Sequence, residues 1–372
     1  MLSSLLGIRL VLLIGDTVPL PAPYEVVRAL TRVQVTHDAR NGDGFQLTFA
    51  LARDGVADYG LLASGALEPF RRVVIGVLFG ATPEVLIDGV ITHQQVTPRE
   101  DPGASTLTVT GRDLSILLDL EEKNAQFPNQ PDFVIVSTTL AAYAQYGIVP
   151  APTPTTDVPI MLERIPRQAE TDLKLIERLA RRNGYVFYIE PVTFGVNTAY
   201  WGPENRLGIP QPALTVNMGA DTNVRGLHFG MDALAPVASQ GSFIEPISKT
   251  TLPIPPLPPL KVPPLALRPA HARRTTLVRD AAQSNPARAA LAALAGPASA
   301  PDPVTVQGEL DAVRYGRALR ARRLVGVRGV GLSYDGLYYV ERVSHTITLG
   351  GYTQSFTLHR EGTVSTTPVV VP

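Results

Sequence analysis

The sequence predicts a mostly β fold with an α/β insert: two tube-like β-barrel domains, a middle α/β domain and a Pro/Ala-rich spacer. Strand-like alternation of apolar and polar residues dominates both ends of the 372-residue chain, whereas helical periodicity is confined to its middle. The 34 prolines are unevenly placed, and eight of them lie between residues 253 and 269. We expect the following domains: 1–112, first barrel; 113–200, α/β; 201–235, strands returning to the first barrel; 236–303, extended spacer; 304–372, second barrel and C-terminal tail.

Composition narrows the class of function. A formal net charge of zero gives no global attraction to nucleic acid or to an anionic membrane. With no cysteine, the chain has no disulfide framework, thiolate nucleophile or cysteine metal site. Residues 1–15 are apolar, but they lack the charged start and cleavage site of a signal peptide and are too short to cross a bilayer. We therefore expect a strand buried in the fold or in an assembly interface, and no membrane anchor.

Short strands with turns between them predict the first barrel. RVQVTHD (32–38) and GFQLTFAL (44–51) flank ARNGDG, whose Asn, Asp and Gly residues suit a hairpin turn. This loop faintly resembles a calcium loop, but Arg40 occupies a ligand position and no glutamate closes it, so a hairpin turn is favoured. Further strands are expected at RRVVIGVLFG, EVLIDGVITHQQV and STLTVTG.

Helical periodicity predicts the middle domain. Residues 113–124 show one short helical pattern, and a second begins near Ser137 and ends at Gly147. In QAETDLKLIERLARRNGYVFYIEP (168–191), a helix ends at Gly184, a residue that favours the left-handed conformation of a C-terminal cap. The residues that follow alternate as in a strand. The helix has one apolar stripe, formed by Leu173, Ile176 and Ala180.

The spacer and the segment after it have distinctive compositions. Residues 252–269 predict extended, polyproline-like backbone, and the alanine-rich part allows a short helix from Pro286 to Leu294. A stiff spacer along a neighbour is favoured over a PxxP ligand of SH3-type grooves. Eleven arginines but four acidic residues lie between Arg268 and Arg328, with Tyr315 as the one aromatic. A basic face toward an acidic partner subunit is therefore favoured over specific nucleic-acid binding.

Catalytic motifs are missing from the sequence. In GVGLSYDG, Asp335 sits where a nucleophile elbow needs glycine, and Tyr334 replaces the third glycine of a dinucleotide fingerprint. Glu121 and Glu122 are adjacent on a helical pattern, so they point apart and do not flank one bond. The histidines are scattered without ligand-like spacing: His37, His93, His228, His271, His345 and His359. We predict no enzyme, no catalytic, cofactor-binding or metal-binding residues, and no cofactor.

Four stretches resemble a known family in both sequence and order. They are LIDGVITHQQVTP (86–98), STLTVTGRDLSILLDLEEKN (105–124), ETDLKLIERLARRNGYVFYIEP (170–191) and LDAVRYGRALRARRLVGVRGVGLSYDGLYYVERVSHTI (310–347). The family is that of the phage tail baseplate hub, or late control protein D, which includes hubs of contractile tails and the N-terminal part of type VI spike proteins. Each motif alone is weak, and their order along the chain carries the resemblance.

The resemblance implies a structural role as a symmetry adapter. In this family three copies form a ring, and two similar barrels per copy let it seat a sixfold inner tube while its other face holds a threefold spike. It implies a homotrimer that contacts the tube protein, a trimeric spike and other baseplate subunits. Assembly would take place in the cytoplasm. The product would be a virion tail or an injection particle, and the sequence does not distinguish between the two.

The chain departs from the family in two respects, and two other classes of function compete. No fused needle follows the second barrel, so a separate spike polypeptide is expected, and the spacer and C-terminal tail are expected to wrap a neighbouring subunit.

A tail-associated peptidoglycan hydrolase would need a carboxylate pair or a metal site. A β-rich adhesion or cell-wall-binding protein would usually expose aromatic clusters, whereas this chain has 6% aromatics and one tryptophan, Trp201.

Overall fold

The structure is a computed structural model that describes residues 8–52, 59–101, 104–155, 157, 159, 165–244, 250–257, 261–277, 300–367 and 370. The helix expected from Pro286 to Leu294 lies outside these residues. The N-terminal strand is confirmed over residues 8–15, where Ile8, Leu12 and Ile14 are buried.

Strands dominate the fold, which confirms the predicted fold class. In chain order they are β1 (Ile8–Gly15), β2 (Leu20–Pro21), β3 (Leu30–Asp38), β4 (Gly44–Leu51), β5 (Arg72–Phe79), β6 (Thr82–Thr97), β7 (Ser105–Asp113), β8 (Glu122–Gln126), β9 (Ile148–Pro152), β10 (Arg167–Thr171), β11 (Val186–Thr193), β12 (Val196–Gly202), β13 (Gln211–Thr215), β14 (Val224–Met231), β15 (Val237–Ile244), β16 (Thr251–Leu257), β17 (Ala266–Pro269), β18 (Arg274–Leu277), β19 (Val304–Asp311), β20 (Leu324–Arg328), β21 (Gly336–Thr348), β22 (Gly351–Arg360) and β23 (Gly362–Ser365).

Helices are short and concentrate in the middle of the chain. The α-helices are α1 (Tyr24–Ala29), α2 (Gly60–Ala63), α3 (Asp132–Ala141), α4 (Asp172–Asn183) and α5 (Ala312–Tyr315). The described residues also form 3₁₀-helices at Leu114–Asp119, Ala144–Tyr146 and Gly219–Asp221.

One 13-stranded sheet contains the same strand order twice. The order β3-β4-β7-β6-β5-β1 forms the first barrel, and the order β14-β19-β22-β21-β20-β13 forms the second barrel. Taken along the chain, each strand of the first barrel has a counterpart in the second. One pair differs, because β1 runs antiparallel to β5 whereas β13 runs parallel to β20. The chain therefore carries two topologically equivalent β units.

The strands of residues 201–235 belong to the second barrel. β13 pairs with β20, and β14 pairs with β19. The prediction that this segment returns to the first barrel is therefore wrong. The physical reason is that β13 and β14 are the counterparts of β1 and β3, so the second barrel needs them as its own opening strands, and the proline-rich segment is inserted before β19. The other domain boundaries stay a prediction.

Each barrel and the middle domain has its own apolar core. In the first barrel the apolar residues that alternate along β3 and β4 are buried, including Val33, Val35, Leu47 and Phe49. A second cluster fills the second barrel between β19, β20, β21 and β22. A third fills the middle domain beneath α3 and α4, with Trp201 fully buried in it. Burial of this kind is the main term that stabilises each unit.

The helix and strand predicted between residues 168 and 191 are confirmed as α4 and β11. The Thr171 hydroxyl accepts a hydrogen bond from the Lys174 N–H at 3.4 Å and caps the start of α4. Gly184, at a φ of 66°, ends it. The apolar side of α4 packs on the middle-domain sheet, and the Trp201 indole N–H donates to the Ile176 carbonyl at 3.2 Å.

Two other helix predictions need correction. Residues 113–124 form a short 3₁₀-helix and then β8, because the chain after Leu120 pairs with β10. Glu122 therefore lies on a strand and not on a helix. The helix expected from Ser137 begins five residues earlier, at Asp132, where Pro131 and an acidic first turn favour a start. It ends at Ala141, and Gly147 follows a separate 3₁₀-helix.

Part of the proline-rich segment is hydrogen-bonded strand. Thr251–Leu257 pairs with β15, and Ala266–Pro269 pairs with β23. The backbone is therefore extended there, as predicted, but it is a paired β-strand and not a polyproline helix. Proline lacks an N–H donor, but it is tolerated in edge strands, and among the described residues β16 pairs with β15 alone.

Substitution of Gly147 by alanine tests the packing of the middle domain. Gly147 has a φ of 73°, and a Cβ there would collide with the Gly195 carbonyl oxygen. Gly147→Ala should lower the free energy of unfolding by about 2–4 kcal/mol. Gly195→Ala is the matched control, because its φ is 77° but its Cβ would meet nothing within 4 Å. It should cost about 1 kcal/mol. Urea denaturation followed by Trp201 fluorescence measures both, and equal losses would contradict the close approach.

Candidate functional site

The two barrels share one strand, β21. Its first residues, 336–339, pair with β20 of the second barrel. Its later residues, 342–348, pair with β3 of the first barrel. The register against β22 shifts at Glu341, so a β-bulge marks the point at which the strand changes partner. We call the pairing of residues 342–348 with β3, together with the side chains that surround it, the joint.

Arg322 connects all three domains at the joint. Its backbone adopts a φ of 62° and its N–H donates to the Val340 carbonyl at 2.8 Å. The guanidinium donates to both carboxylate oxygens of Asp43 at 2.9 and 2.7 Å, and to the Asp38 carbonyl at 2.8 Å. It also lies 4.6 Å from the centre of the Tyr188 ring of the middle domain. The side chain is almost fully buried, so this contact is shielded from water.

The turn between β3 and β4 is a hairpin turn, as predicted, and its acidic side chains are used internally. Asp38 accepts from the N–H groups of Arg40 at 2.8 Å and Asn41 at 3.1 Å, and Asp43 accepts from the Asp38 N–H at 3.0 Å. His37 Nδ1 lies 2.9 Å from Asp43. The hydrogen bonds hold both carboxylates within the turn, an arrangement that rigidifies the hairpin.

The carboxylates at the joint have pKa values shifted in opposite directions. Burial alone would raise the pKa of Asp43, but Arg322 and His37 outweigh it and hold the pKa below its usual range. Burial raises the pKa of Asp113 to about 6, and the nearby Asp43 charge adds to this effect. Asp113 accepts from the Ser115 N–H at 3.0 Å, and it begins the 3₁₀-helix that leads into the middle domain.

Two of the six histidines meet at the joint. The rings of His37 and His345 lie edge to face with centroids 5.5 Å apart. His345 Nδ1 lies 2.8 Å from the Tyr352 hydroxyl, and burial holds the pKa of His345 well below its usual value. Sequence spacing did not indicate this contact, since it joins β3 to β21. Within the described part of the chain, no group of three or more His, Cys, Asp or Glu side chains is arranged to hold a metal ion.

A second buried network attaches the middle domain to the first barrel. Arg72 donates to Asp88 at 2.8 and 2.6 Å and to the Tyr146 carbonyl at 2.8 Å. The Asn197 amide donates to the same Asp88 carboxylate at 2.8 Å. Two strands of the first barrel, β5 and β6, are therefore tied to β12 and to the 3₁₀-helix before β9 by charge-assisted hydrogen bonds.

A third network fastens part of the proline-rich segment to the second barrel. Arg206 donates to Glu361 at 3.0 Å and to Asp302 at 3.2 Å, and Lys261 donates to Asp302 at 3.1 Å. Glu361 also accepts from the Ala266 N–H at 2.8 Å. We expected this segment to wrap a neighbouring subunit, but residues 261–270 lie along the second barrel of their own chain.

The arginines expected to face an acidic partner subunit are partly neutralised within the chain. Arg320 pairs with Glu84 at 3.4 Å, and Arg323 pairs with Glu190 at 2.6 Å. Together with Arg322 they line a cleft of about 780 Å³ between the first barrel, the middle domain and the second barrel. Because Glu84 and Glu190 pair with Arg320 and Arg323 there, these arginines connect the domains of one chain.

Searches by sequence and by structure gave different results. No protein-family model and no curated protein sequence matches the chain. Among the described residues, no helix is long and apolar enough to cross a membrane.

Solved structures share the fold over nearly the whole chain. A tail protein from Neisseria meningitidis matches with a TM-score of 0.62 and 15% identity, covering 96% of this chain and 98% of that one. A 43 kDa tail protein of a Shewanella oneidensis prophage gives a TM-score of 0.63 and 14% identity, covering 95% and 98%. An E. coli component of the type VI secretion system, described as similar to two T4 phage tail proteins, gives 0.56 and 12%, covering 92% and 77%.

The chain therefore has the fold of phage tail proteins and of a type VI secretion component. This confirms the resemblance to the baseplate hub family at the level of the fold. A chain of the Francisella PdpA–VgrG complex, at a TM-score of 0.56 and 8% identity, agrees, and the alignment covers 100% of this chain and 60% of that one.

Arg322→Ala should destabilise the protein strongly, because it leaves the Asp43 carboxylate buried without its charged partner. We expect the free energy of unfolding to fall by about 3–5 kcal/mol. Arg323→Ala is the matched control: the adjacent arginine pairs with Glu190 while its side chain is 51% exposed. Its loss should cost at most about 1 kcal/mol. Urea denaturation followed by circular dichroism measures both, and similar losses would show that Arg322 does not hold the joint.

Asp113→Asn should change how stability depends on pH. The pKa of Asp113 rises from 3.8 to about 6 on folding, so its contribution to stability is full below pH 3.8 and is lost as the pH rises through about 6. The asparagine variant does not ionise. Its free energy of unfolding relative to the natural protein should therefore rise across this interval by up to about 3 kcal/mol. Urea denaturation at pH values on both sides of the interval measures it, and a difference that falls with pH would contradict the raised pKa.

Proposed function

We propose that the protein is the structural baseplate hub of a contractile phage tail or a related injection system. Three copies form a ring that joins a sixfold inner tube to a threefold spike. The observation that carries this proposal is the repeated strand order of the two barrels. A chain that offers two equivalent units lets three copies present six, so one face of the ring matches sixfold symmetry while the whole assembly stays threefold.

The strand edges of the chain support an assembled state. Among the described residues, β14 pairs with β19 only, so its outer edge has free backbone donors and acceptors. Exposed edges of this kind are liabilities for a monomer, and natural proteins cover them. A closed ring would cover them with other copies of the same chain.

The partners follow from this role. We propose an inner tube protein on the sixfold face, a trimeric spike on the threefold face, and other baseplate subunits around the ring. The tail proteins and the VgrG complex with the same fold support partners of this kind. We also propose a non-enzymatic role, assembly in the cytoplasm and a final place in a tail or an injection particle.

Electron microscopy tests the proposal. The purified protein should be imaged by negative stain alone and after mixing with its tube and spike proteins. We expect threefold rings with a central opening, and rings that cap tubes in the mixture. Monomers in the unmixed sample would agree with a ring that needs partners to close. The absence of rings even with both partners would contradict the hub function.

A further inference from the structure

The two strand segments that pair in the joint each have a counterpart in the other barrel, and the corresponding edges of these counterparts, which we call the free halves, are unpaired among the described residues. The joint pairs the later part of β21 with β3. The counterpart of β21 in the first barrel is β6, and the counterpart of β3 in the second barrel is β14. The later part of β6, residues 92–97, pairs with β7 on one side, and among the described residues nothing pairs with its other side. The outer edge of β14 is equally free.

Backbone details fix the equivalence of β6 and β21. Both strands carry a bulge against their neighbour, at Thr92 in β6 and at Glu341 in β21. Just before β5, Phe70 has a φ of 67° and donates its N–H to the Ile91 carbonyl at 2.8 Å. Just before β20, Arg322 has a φ of 62° and makes the same bond to Val340, also at 2.8 Å. Phe70 thus occupies the position of Arg322.

Independent details fix the equivalence of β3 and β14. Each strand has a register shift near its start, between Leu30 and Arg32 in β3 and between Val224 and Gly226 in β14. An aspartate stands at the end of β3 and directly after β14, and its carboxylate accepts from the N–H two residues later. The distance is 2.8 Å at Asp38, and it is 2.8 Å at Asp232.

We infer that residues 92–97 of one copy pair with β14 of a second copy and repeat the joint between chains. The inference deepens the proposed hub function and rests on it, since the copies belong to one ring. Transferring the register of the joint places His93 opposite Asp232 of the second copy, as Arg342 lies opposite Asp38. It places Thr97 opposite His228, as Thr346 lies opposite Gln34.

The side chains on the two free halves suit contact between chains. Phe70 and Val96 on one half are 59% and 37% exposed, and Met231 and Leu234 on the other are 54% and 57% exposed. Three of these four residues correspond to buried polar residues of the joint. Phe70 corresponds to Arg322, Val96 to His345 and Met231 to His37. An interface between separate chains needs the free energy of apolar burial to offset the entropy of association, whereas a joint within one chain does not.

The symmetry of this contact leads to a closed ring. Each copy offers one β6 half and one β14 half, so the contact is heterologous and runs head to tail. If the contact between chains has the geometry of the joint within the chain, three copies contain six equivalent joints. Alternate joints then lie within and between chains.

Disulfide cross-linking tests the pairing, and the absence of natural cysteine gives a clean background. Thr97→Cys and His228→Cys should be combined in one chain and oxidised. We expect intermolecular cross-links that end at a covalent ring. Mixing the two single variants should give dimers only, and each single variant alone should give none. Thr346→Cys with Gln34→Cys is the matched positive control, because the same pair in the existing joint should cross-link within one chain.

A cysteine pair in a shifted register, together with electron micrographs of the ring, distinguishes failure of the pairing from failure of the hub function. Thr97→Cys with Leu227→Cys places the side chains on opposite faces of the sheet and should cross-link at least about tenfold less. Rings in electron micrographs without a cross-link between residues 97 and 228 would overturn the inference and leave the hub function standing. Cross-linked rings of another size would support the pairing and contradict the trimer. Monomers without cross-links at any concentration, both alone and after mixing with the tube and spike proteins, while the positive control reacts, would overturn the pairing.

Discussion

The pairing of β21 with both barrels is the constraint on which the rest of the structure depends. One strand is a member of two β units, so the units cannot move apart without breaking a continuous ladder of hydrogen bonds. The bulge at Glu341 redirects the strand, and Arg322 fixes the angle by contacting the hairpin of the first barrel and a ring of the middle domain. A rigid orientation of this kind is what the proposed role as a symmetry adapter requires.

The polar character of the joint has a physical explanation. A buried ion pair contributes little net stability compared with apolar packing, but it fixes geometry because few arrangements satisfy all of its hydrogen bonds. Within one chain the association is already secured, so the joint can use polar groups such as Asp43 and His345. The free edges that we propose to pair between chains instead expose Phe70, Val96 and Met231, whose burial would supply a driving force.

Sequence reasoning predicted what local signals determine. Helix α4 has a cap, an apolar stripe and a terminal glycine within a few residues, and the hairpin after β3 has its turn residues in one short stretch. The assignment of β13 and β14 failed because strand pairing is a long-range property and the two barrels share no obvious sequence repeat. Arg322 and Asp43 lie 279 residues apart, so no spacing rule connects them. The sequence shows the cluster of arginines and predicts an acidic partner subunit for it, whereas three of these arginines pair with carboxylates of the same chain.

A reconstruction of the assembled ring by electron cryomicroscopy, computed without imposed symmetry, tests the central claim most directly. The measurement is the superposition of the contact within a chain onto the contact between chains. We expect the pairing of β21 with β3 and the pairing of β6 with β14 of the neighbour to superimpose with the same register, and we expect six barrels to surround the opening. A ring whose chains meet through other strands, or whose two kinds of contact differ in register, would contradict it.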